Sequence, residues 1–137
     1  MPKVIYYSMT GNTEAMANEV LKGINEAGGS GELCAFDSLT PSDLSAESSF
    51  ALGCPAMGAE VLEEAVVEPF MAELEGSLLG KKVLLFGSYG WGDGEWMRNW
   101  VERCQAAGAE VVDSIICNGY PDDETSAKLS EAGKKLV

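Results

Sequence analysis

Short apolar runs alternate along the chain with longer segments in which apolar residues recur every three or four positions. The apolar runs are unbroken, as in Val83 to Phe86, which is typical of strands covered on both faces of a parallel sheet. Five runs are therefore predicted as strands: residues 3–7, 32–36, 49–53, 82–88 and 110–117.

Five segments between and after these runs have helical character. The first is the clearest, because its apolar positions share one helix face and the glycines at 28–29 end it; they are Ala17, Val20, Leu21, Ile24 and Ala27. A short second helix is predicted after Thr40, a capping residue, with Pro41 at its first position. The third covers residues 61–74, where Pro69 predicts a kink or a restart.

The last two helical segments lie in the second half of the chain. The fourth carries an apolar stripe of Met97, Trp100, Val101 and Cys104 and ends at Gly108. The fifth, about residues 122–136, begins with acidic residues and ends with Lys134 and Lys135, and both placements complement the helix dipole.

Strict alternation of strand and helix predicts the fold class: an α/β three-layer sandwich around a parallel sheet, with right-handed crossovers. The length of 137 residues suits one domain, which we assign to residues 1–137. Ligands of such open sheets bind beyond the carboxyl ends of the strands. The loops after Tyr7, Gly53 and Ser88 are therefore the candidate ligand-binding segments.

Composition and charge exclude several functions. The formal net charge of −13 disfavours nucleic acid and anionic lipid as partners, since both are polyanions. The chain has no His, which excludes His-dependent triads and His-ligated metals, and we predict no metal site. No apolar stretch of about 18 residues occurs, and Met-Pro-Lys opens the chain, so neither a membrane span nor a signal peptide is expected.

The four cysteines point to a reducing compartment. They show no Cys-x-x-Cys spacing and no paired arrangement, so we expect reduced, mostly buried thiols in a cytoplasmic protein.

The first candidate loop, residues 8–13, joins the first strand to the first helix. It reads Ser-Met-Thr-Gly-Asn-Thr, a set of hydroxyls, an amide and a glycine without a lysine. Free N–H groups at a helix start form a phosphate cradle, and neutral donors suit one terminal phosphate better than a triphosphate with Mg²⁺. The alternative is simple capping of the helix in a solvated turn.

The second loop, residues 54–60, leaves the third strand. Pro55 and Gly58 predict a turn that presents Met57, although Met57 reaching back into the core is an equal alternative. A phosphatase loop is excluded, because position 60 is Glu60 where an arginine would be required.

The third loop, residues 87–94, places Trp91 between two glycines. Neither a strand nor a helix packs a ring in such a position, so Trp91 is predicted to stack on a ligand. Trp96 and Trp100 lie four apart on a helix and are predicted as core.

Together, residues 8–14, 53–58 and 86–92 resemble the loops of the short-chain flavodoxins of anaerobic bacteria, and the likeness covers nearly the whole chain. Flavodoxins are themselves a known example of ligand binding at a sheet switch point. The resemblance implies a five-stranded parallel sheet of order 2-1-3-4-5 and one non-covalently bound FMN.

The resemblance also implies the role of each loop. Residues 8–13 would hold the FMN phosphate, Met57 and Trp91 would flank the isoalloxazine ring, and Glu60 would accept from the ring N3–H. Asn118 is expected to brace Trp91 or the edge of the ring. The implied FMN-binding residues are Ser8, Met9, Thr10, Gly11, Asn12, Thr13, Pro55, Ala56, Met57, Gly58, Ala59, Glu60, Ser88, Tyr89, Gly90, Trp91, Gly92 and Asn118.

The function implied is that of a monomeric, low-potential one-electron carrier, not an enzyme, working between the semiquinone and hydroquinone of FMN. Its partners would be reductases and oxidoreductases with basic docking faces, met transiently. Gly58 is expected to adopt positive φ in the turn near flavin N5. Ala59 stands where the family often has Asp, Asn, Gly or Ser. A type II turn would require positive φ at position 59, so Ala59 is expected to disfavour that turn, to favour the turn that stabilises the semiquinone, and to raise the first reduction potential.

Two other functions fit the fold class less well. A small FMN-dependent reductase would need a nicotinamide or quinone pocket, and no basic or glycine-rich segment is left to form one. A receiver-type signalling module needs acidic residues after the first strand and an Asp after the third, where this chain has Ser8 and the Gly53-Cys54 pair.

Overall fold

The computed structural model describes residues 2–137, in which five strands alternate with helices and short 3₁₀ turns. The strands are β1 Lys3–Tyr6, β2 Glu32–Ala35, β3 Ser49–Gly53, β4 Lys82–Tyr89 and β5 Glu110–Asn118. The helices are α1 Asn12–Glu26, α2 Val67–Leu74, α3 Glu95–Ala106 and α4 Asp123–Lys134, and the 3₁₀ turns are Phe36–Ser38, Pro41–Leu44 and Glu75–Ser77. The predicted strands agree with these bounds to within one residue at each end.

The five strands form one parallel sheet of order β2-β1-β3-β4-β5, which confirms the predicted topology. Tyr6 at the end of β1 is paired with Gly53 at the end of β3, and Gly53 is paired with Phe86 of β4. β4 continues past this point to Tyr89, which is paired with Asn118. The loops after β1, β3 and β4 therefore leave the same edge of the sheet.

Apolar side chains on both faces of the sheet explain the unbroken apolar runs. Ile5 and Leu85 belong to the core on the side of α2 and α3, whereas Val4 and Leu84 belong to the core on the side of α1 and α4. All four are fully buried. Successive strand residues point to opposite faces, so the central strands β3 and β4, which are covered on both faces, carry consecutive apolar residues.

Helices α1 and α4 approach each other closely because glycine stands at their crossing. A Cβ at Gly23 would lie 1.9 Å from the carbonyl oxygen of Ser130, and a Cβ at Gly133 would lie 2.4 Å from that of Val20. No larger side chain fits at either position without moving a helix. The helix that follows the first loop is thus packed side by side with α4.

The predicted third helix is shorter than expected, and the kink at Pro69 does not occur. Residues 61–66 are not helical, since Val61 pairs with Met57 in an antiparallel bridge. α2 begins at Val67, which puts Pro69 in its first turn, where a missing N–H removes no helical hydrogen bond. The apolar spacing of residues 61–66 misled the prediction, because Leu62 is buried by packing of the loop and not by a helix face.

The start of α2 is set by Glu63, a buried carboxylate. It accepts hydrogen bonds from the N–H groups of Ala65, Val66 and Val67 at 2.7, 2.6 and 2.9 Å. Burial alone would raise the pKa of Glu63, but the three backbone donors outweigh it and the pKa lies below its ordinary value. The carboxylate replaces a short capping side chain at this helix end.

The predicted second helix is one 3₁₀ turn, Pro41–Leu44. Its start is as expected, with Pro41 at the first position and the Thr40 N–H donating to the Asp43 carboxylate at 2.8 Å. The Lys81 ammonium binds the chain after this turn, with Nζ 3.2, 3.0 and 2.6 Å from the carbonyl oxygens of Leu44, Ser45 and Glu47. These bonds end the turn and tie it to the start of β4.

Candidate functional site

A cleft of about 250 Å³ lies at the carboxyl edge of the sheet, and all three predicted loops line it. Its lining residues are Ser8, Met9, Thr10, Asn12, Thr13, Pro55, Ala56, Met57, Ser88, Tyr89, Gly90 and Gly119. Two larger grooves, of about 640 and 480 Å³, flank β5 against α4 and α3. They lie on the sides of the sheet and include none of the residues predicted for the site.

The first loop presents the start of α1 to this cleft. Gly11 adopts φ +92° and precedes the helix, and its N–H donates to the Ser8 hydroxyl at 3.1 Å. Gly11, the N-cap residue of α1, has no side chain to cap the first-turn N–H groups. The first-turn N–H groups of a helix carry partial positive charge, which makes this end of α1 a suitable anion cradle.

The second loop first extends the sheet and then forms a tight hairpin. The Ala56 N–H donates to the Ser88 carbonyl at 3.0 Å, and Met57 and Val61 exchange two backbone hydrogen bonds of 3.0 Å. Gly58 has φ +50°, as predicted, whereas Ala59 lies outside the positive-φ region. Met57 is half-buried and lines the cleft, so it does not return to the core.

The third loop leaves Trp91 largely in solvent. Its side chain is 63% exposed and lies beside the cleft without lining it. Trp96 and Trp100 are buried core residues, as predicted. The Trp96 indole N–H donates to the Cys54 carbonyl at 3.1 Å, which fixes the start of α3 against the second loop.

Glu60 connects the second and third loops, a contact that sequence reasoning missed. Its carboxylate is buried and accepts from the N–H groups of Asp93 and Gly94, each at 3.1 Å. Glu60 itself has φ +55°, in the left-handed region. The sequence gives no sign of this contact, since it shows only that Glu60 follows the turn at Gly58.

The turn after β5 closes the far side of the cleft. The Ser88 hydroxyl donates to the Gly119 carbonyl at 2.7 Å, and the Gly119 N–H donates to the Tyr89 carbonyl at 3.0 Å. Gly119 lines the cleft but was not predicted, although the Asn-Gly pair marks the turn. The neighbouring Asn118 is exposed and is paired with Tyr89 in the sheet.

The predicted site residues thus fall into two groups. Eleven of them line the cleft, and seven lie outside its lining: Gly11, Gly58, Ala59, Glu60, Trp91 and Gly92 in the same three loops, and Asn118 at the end of β5.

The four cysteines are free thiols, and three of them are buried. Burial raises the pKa of Cys54 and of Cys104 to about 12, and it raises that of the half-buried Cys34 to about 11. Thiols with such pKa values remain protonated near neutral pH and are poor nucleophiles.

Comparison with known proteins agrees with the fold and the loops. The family model described as Flavodoxin matches residues 4–133 of the chain. The chain belongs to the flavodoxin family. Curated flavodoxins from Megasphaera elsdenii and Clostridium beijerinckii are 48% and 45% identical to it, and each alignment covers 98% of this chain and 99% and 98% of the relative. The resemblance to short-chain flavodoxins of anaerobic bacteria is thereby confirmed.

Solved structures of flavodoxins superpose closely on this one. The solution structure of two-electron reduced Megasphaera elsdenii flavodoxin has a TM-score of 0.92 and 47% identity, covering 98% of this chain and 99% of that one. A flavodoxin from the domain Archaea has a TM-score of 0.86 at 26% identity, covering 98% and 94% of the two chains. Flavodoxins are FMN-binding electron carriers and not enzymes, and this chain is a member.

Two further observations concern membrane-spanning helices and clusters of metal-ligating side chains. No helix among residues 2–137 is both long and apolar enough to cross a membrane. Nor do three or more potential metal-ligating side chains gather within the described part of the chain.

Proposed function

We propose that this flavodoxin holds FMN non-covalently in the three-loop cleft and carries single electrons at low potential between cytoplasmic redox enzymes. The observation that supports this most directly is the cleft itself, where residues from the loops after β1, β3 and β4 line one cavity. Bound FMN supplies the one-electron chemistry; the protein supplies binding, orientation and the electrostatic surroundings.

The phosphate end of FMN is assigned to the first loop. Ser8, Thr10 and Thr13 offer hydroxyl groups there, and the uncapped N-terminus of α1 offers backbone N–H groups. Neither Lys nor Arg lines the cleft, so an anion would be held by neutral donors and by the helix dipole. Such a donor set suits the single phosphate of FMN.

The ring end is assigned to the mouth of the cleft, between Met57 and Trp91. The cavity of about 250 Å³ is smaller than most pockets that enclose a whole ligand, so it suits the phosphate and ribityl chain, with the ring at the opening. Met57 lines the cleft from one side, and the exposed indole of Trp91 is available on the other. An aromatic ring of this kind gains contact area by stacking on a flat ligand.

Low potential follows from the charge of the protein. The net charge of −13 disfavours any further negative charge on the flavin, and apolar walls remove water that would otherwise stabilise it. Both effects lower the potential of the second one-electron step more than that of the first, since the second step leaves the reduced flavin anionic.

The proposed partners present basic faces to the ring end of the cleft. Three large apolar side chains stay exposed in the loops at this edge, Met9, Trp91 and Tyr120, within a strongly acidic protein. A small apolar patch with surrounding acidic charge suits brief, salt-sensitive encounters of a monomeric carrier.

The test is a titration of the flavin-free full chain with FMN and with riboflavin, followed by flavin fluorescence. We expect FMN to bind at least about tenfold more tightly than riboflavin, because the phosphate adds charge-assisted hydrogen bonds. A potentiometric titration should then place the second reduction below that of free FMN. Equal affinity for the two flavins would contradict the phosphate assignment, and a second potential at or above that of free FMN would contradict the low-potential role.

A further inference from the structure

The hairpin 57–61 and the loop 88–94 are tied together at two points. The first tie lies at their base, where the Ala56 N–H donates to the Ser88 carbonyl at 3.0 Å as a continuation of the sheet. The second lies at the tip, where the Glu60 carboxylate binds the backbone of Asp93 and Gly94. Trp91 lies in the third loop between these two ties.

The geometry at the tip is that of a carboxylate bound at a helix start. Glu60 Oε1 lies 3.1 Å from the Asp93 nitrogen, and Oε2 lies 3.1 Å from the Gly94 nitrogen. Gly94 directly precedes α3, so the carboxylate is also close to the positive end of that helix dipole. The side chain is only 7% exposed, and charge-assisted hydrogen bonds are strong where water is excluded.

Two backbone features are shaped around this carboxylate. Glu60 is the only non-glycine residue among those described with positive φ, at +55°, a conformation that persists when surrounding contacts hold it. In the third loop, a Cβ at Gly92 would lie 2.0 Å from Glu60 Oε1, so any side chain there would displace the carboxylate. The hairpin and the third loop thus both accommodate the same contact.

We infer that Glu60 is a positioning residue, whose carboxylate clasps the third loop to the hairpin and so sets the distance between Trp91 and Met57. This inference rests on the proposed function, in which those two side chains flank the ring. It differs from the expectation that Glu60 serves as a ring ligand, because the clasp uses backbone donors of the protein itself. The clasp needs no atom of the flavin, so we expect it to form without FMN and to reduce the ordering that binding requires.

The clasp is tested by amide hydrogen exchange of the ¹⁵N-labelled full chain, measured by NMR with and without FMN. Glu60→Gln keeps the size of the side chain, but its amide offers one accepting oxygen and turns an NH₂ group toward the other N–H. We expect the Asp93 and Gly94 amides to exchange at least about tenfold faster in Glu60→Gln without FMN, as the loss of a charge-assisted bond requires. Acrylamide should also quench Trp91 fluorescence more strongly in this variant.

Glu64→Gln is the matched control, since Glu64 is exposed in the same segment and its substitution removes the same charge. It should leave both amides unchanged. If the Asp93 and Gly94 amides exchange equally fast in Glu60→Gln and in the wild type without FMN, the clasp is overturned. This holds even if FMN affinity falls, because Glu60 would then act only as a ligand of the flavin ring. If Glu60→Gln does not fold, Glu60→Asp, one methylene shorter, is judged by the same comparison.

The outcome separates this inference from the proposed function. If FMN fails to bind the wild-type chain, the proposed function fails, whereas the exchange rates of Asp93 and Gly94 without FMN still decide whether the clasp exists. If FMN binds and the exchange rates do not respond to Glu60→Gln, the clasp fails and the proposed function stands.

Discussion

Removing the Glu63 carboxylate should destabilise the protein strongly, because three backbone N–H groups depend on it. Its oxygens lie 2.7, 2.6 and 2.9 Å from the nitrogens of Ala65, Val66 and Val67, and the side chain is 7% exposed. A hydrogen bond to a charged group contributes about 1.5–3 kcal/mol, and a helix cap about 1 kcal/mol. The three bonds share one carboxylate and do not add fully, so we expect Glu63→Ala to lower the free energy of unfolding by about 3 kcal/mol.

Urea unfolding of the full chain, followed by far-UV circular dichroism, measures this loss. With an m-value of about 2 kcal/mol/M, a loss of about 3 kcal/mol moves the midpoint down by about 1.5 M. Glu63→Gln retains one accepting oxygen and should lose about 1–2 kcal/mol. Glu64→Gln, the exposed neighbour, should unfold at the wild-type midpoint within about 0.5 kcal/mol.

The pH dependence gives an independent check of the same mechanism. The pKa of Glu63 is lowered in the folded protein, so its stabilisation is fully present above the ordinary value of 4.5 and is lost as pH falls through the lower folded pKa. The difference between wild type and Glu63→Gln should therefore be full at pH 7 and smaller at pH 3, on the two sides of the isoelectric point near 4.2. Equal midpoints at pH 7, or a difference unchanged at pH 3, would refute the reasoning.

Three further predictions concern the loops and the core. Trp91→Ala should weaken FMN binding by about tenfold or more while Trp91→Phe keeps most of the affinity, and a fluorescence titration that finds equal affinities would contradict the stacking role. Ala59→Gly removes a Cβ that disfavours positive φ at position 59 by about 1 kcal/mol, so the glycine variant should favour the semiquinone-stabilising turn less strongly. The first reduction potential of the bound flavin should then fall by up to about 40 mV, and an unchanged or higher potential would refute this. Lys81→Met should lower the free energy of unfolding by about 1–2 kcal/mol relative to the exposed control Lys82→Met, and matching urea midpoints of the two would disprove it.

The strands of the sheet could be predicted from the sequence because burial on both faces leaves a local pattern, a run of consecutive apolar residues. Strands buried on both faces are apolar at successive positions, and residues 50–52 and 83–86 show this directly. The site loops were readable for a similar reason, since glycines and hydroxyl residues at strand ends mark backbone that approaches a ligand.

What the sequence did not reveal depends on contacts between distant segments. Residues 61–66 carry apolar side chains at helical spacing, yet Val61 pairs with Met57 in a hairpin, and α2 starts only where the Glu63 carboxylate supplies a cap. The contact of Glu60 with Asp93 and Gly94 spans more than thirty positions along the chain. Neither a periodic pattern nor a turn signal encodes a pairing of that kind.

The crossing of α1 and α4 has a consequence for the order in which the protein is made. All three loops of the cleft have been synthesised once residue 94 is translated, but α1 packs beside α4, residues 123–134, which is made later. The buried Ser49 hydroxyl likewise donates to the carbonyl of Leu136 at 2.6 Å, tying β3 to the last turn of the chain. A nascent chain therefore contains every cleft residue before it contains the helix that holds the first loop in place, and the cleft becomes a stable binding site only when synthesis has reached α4.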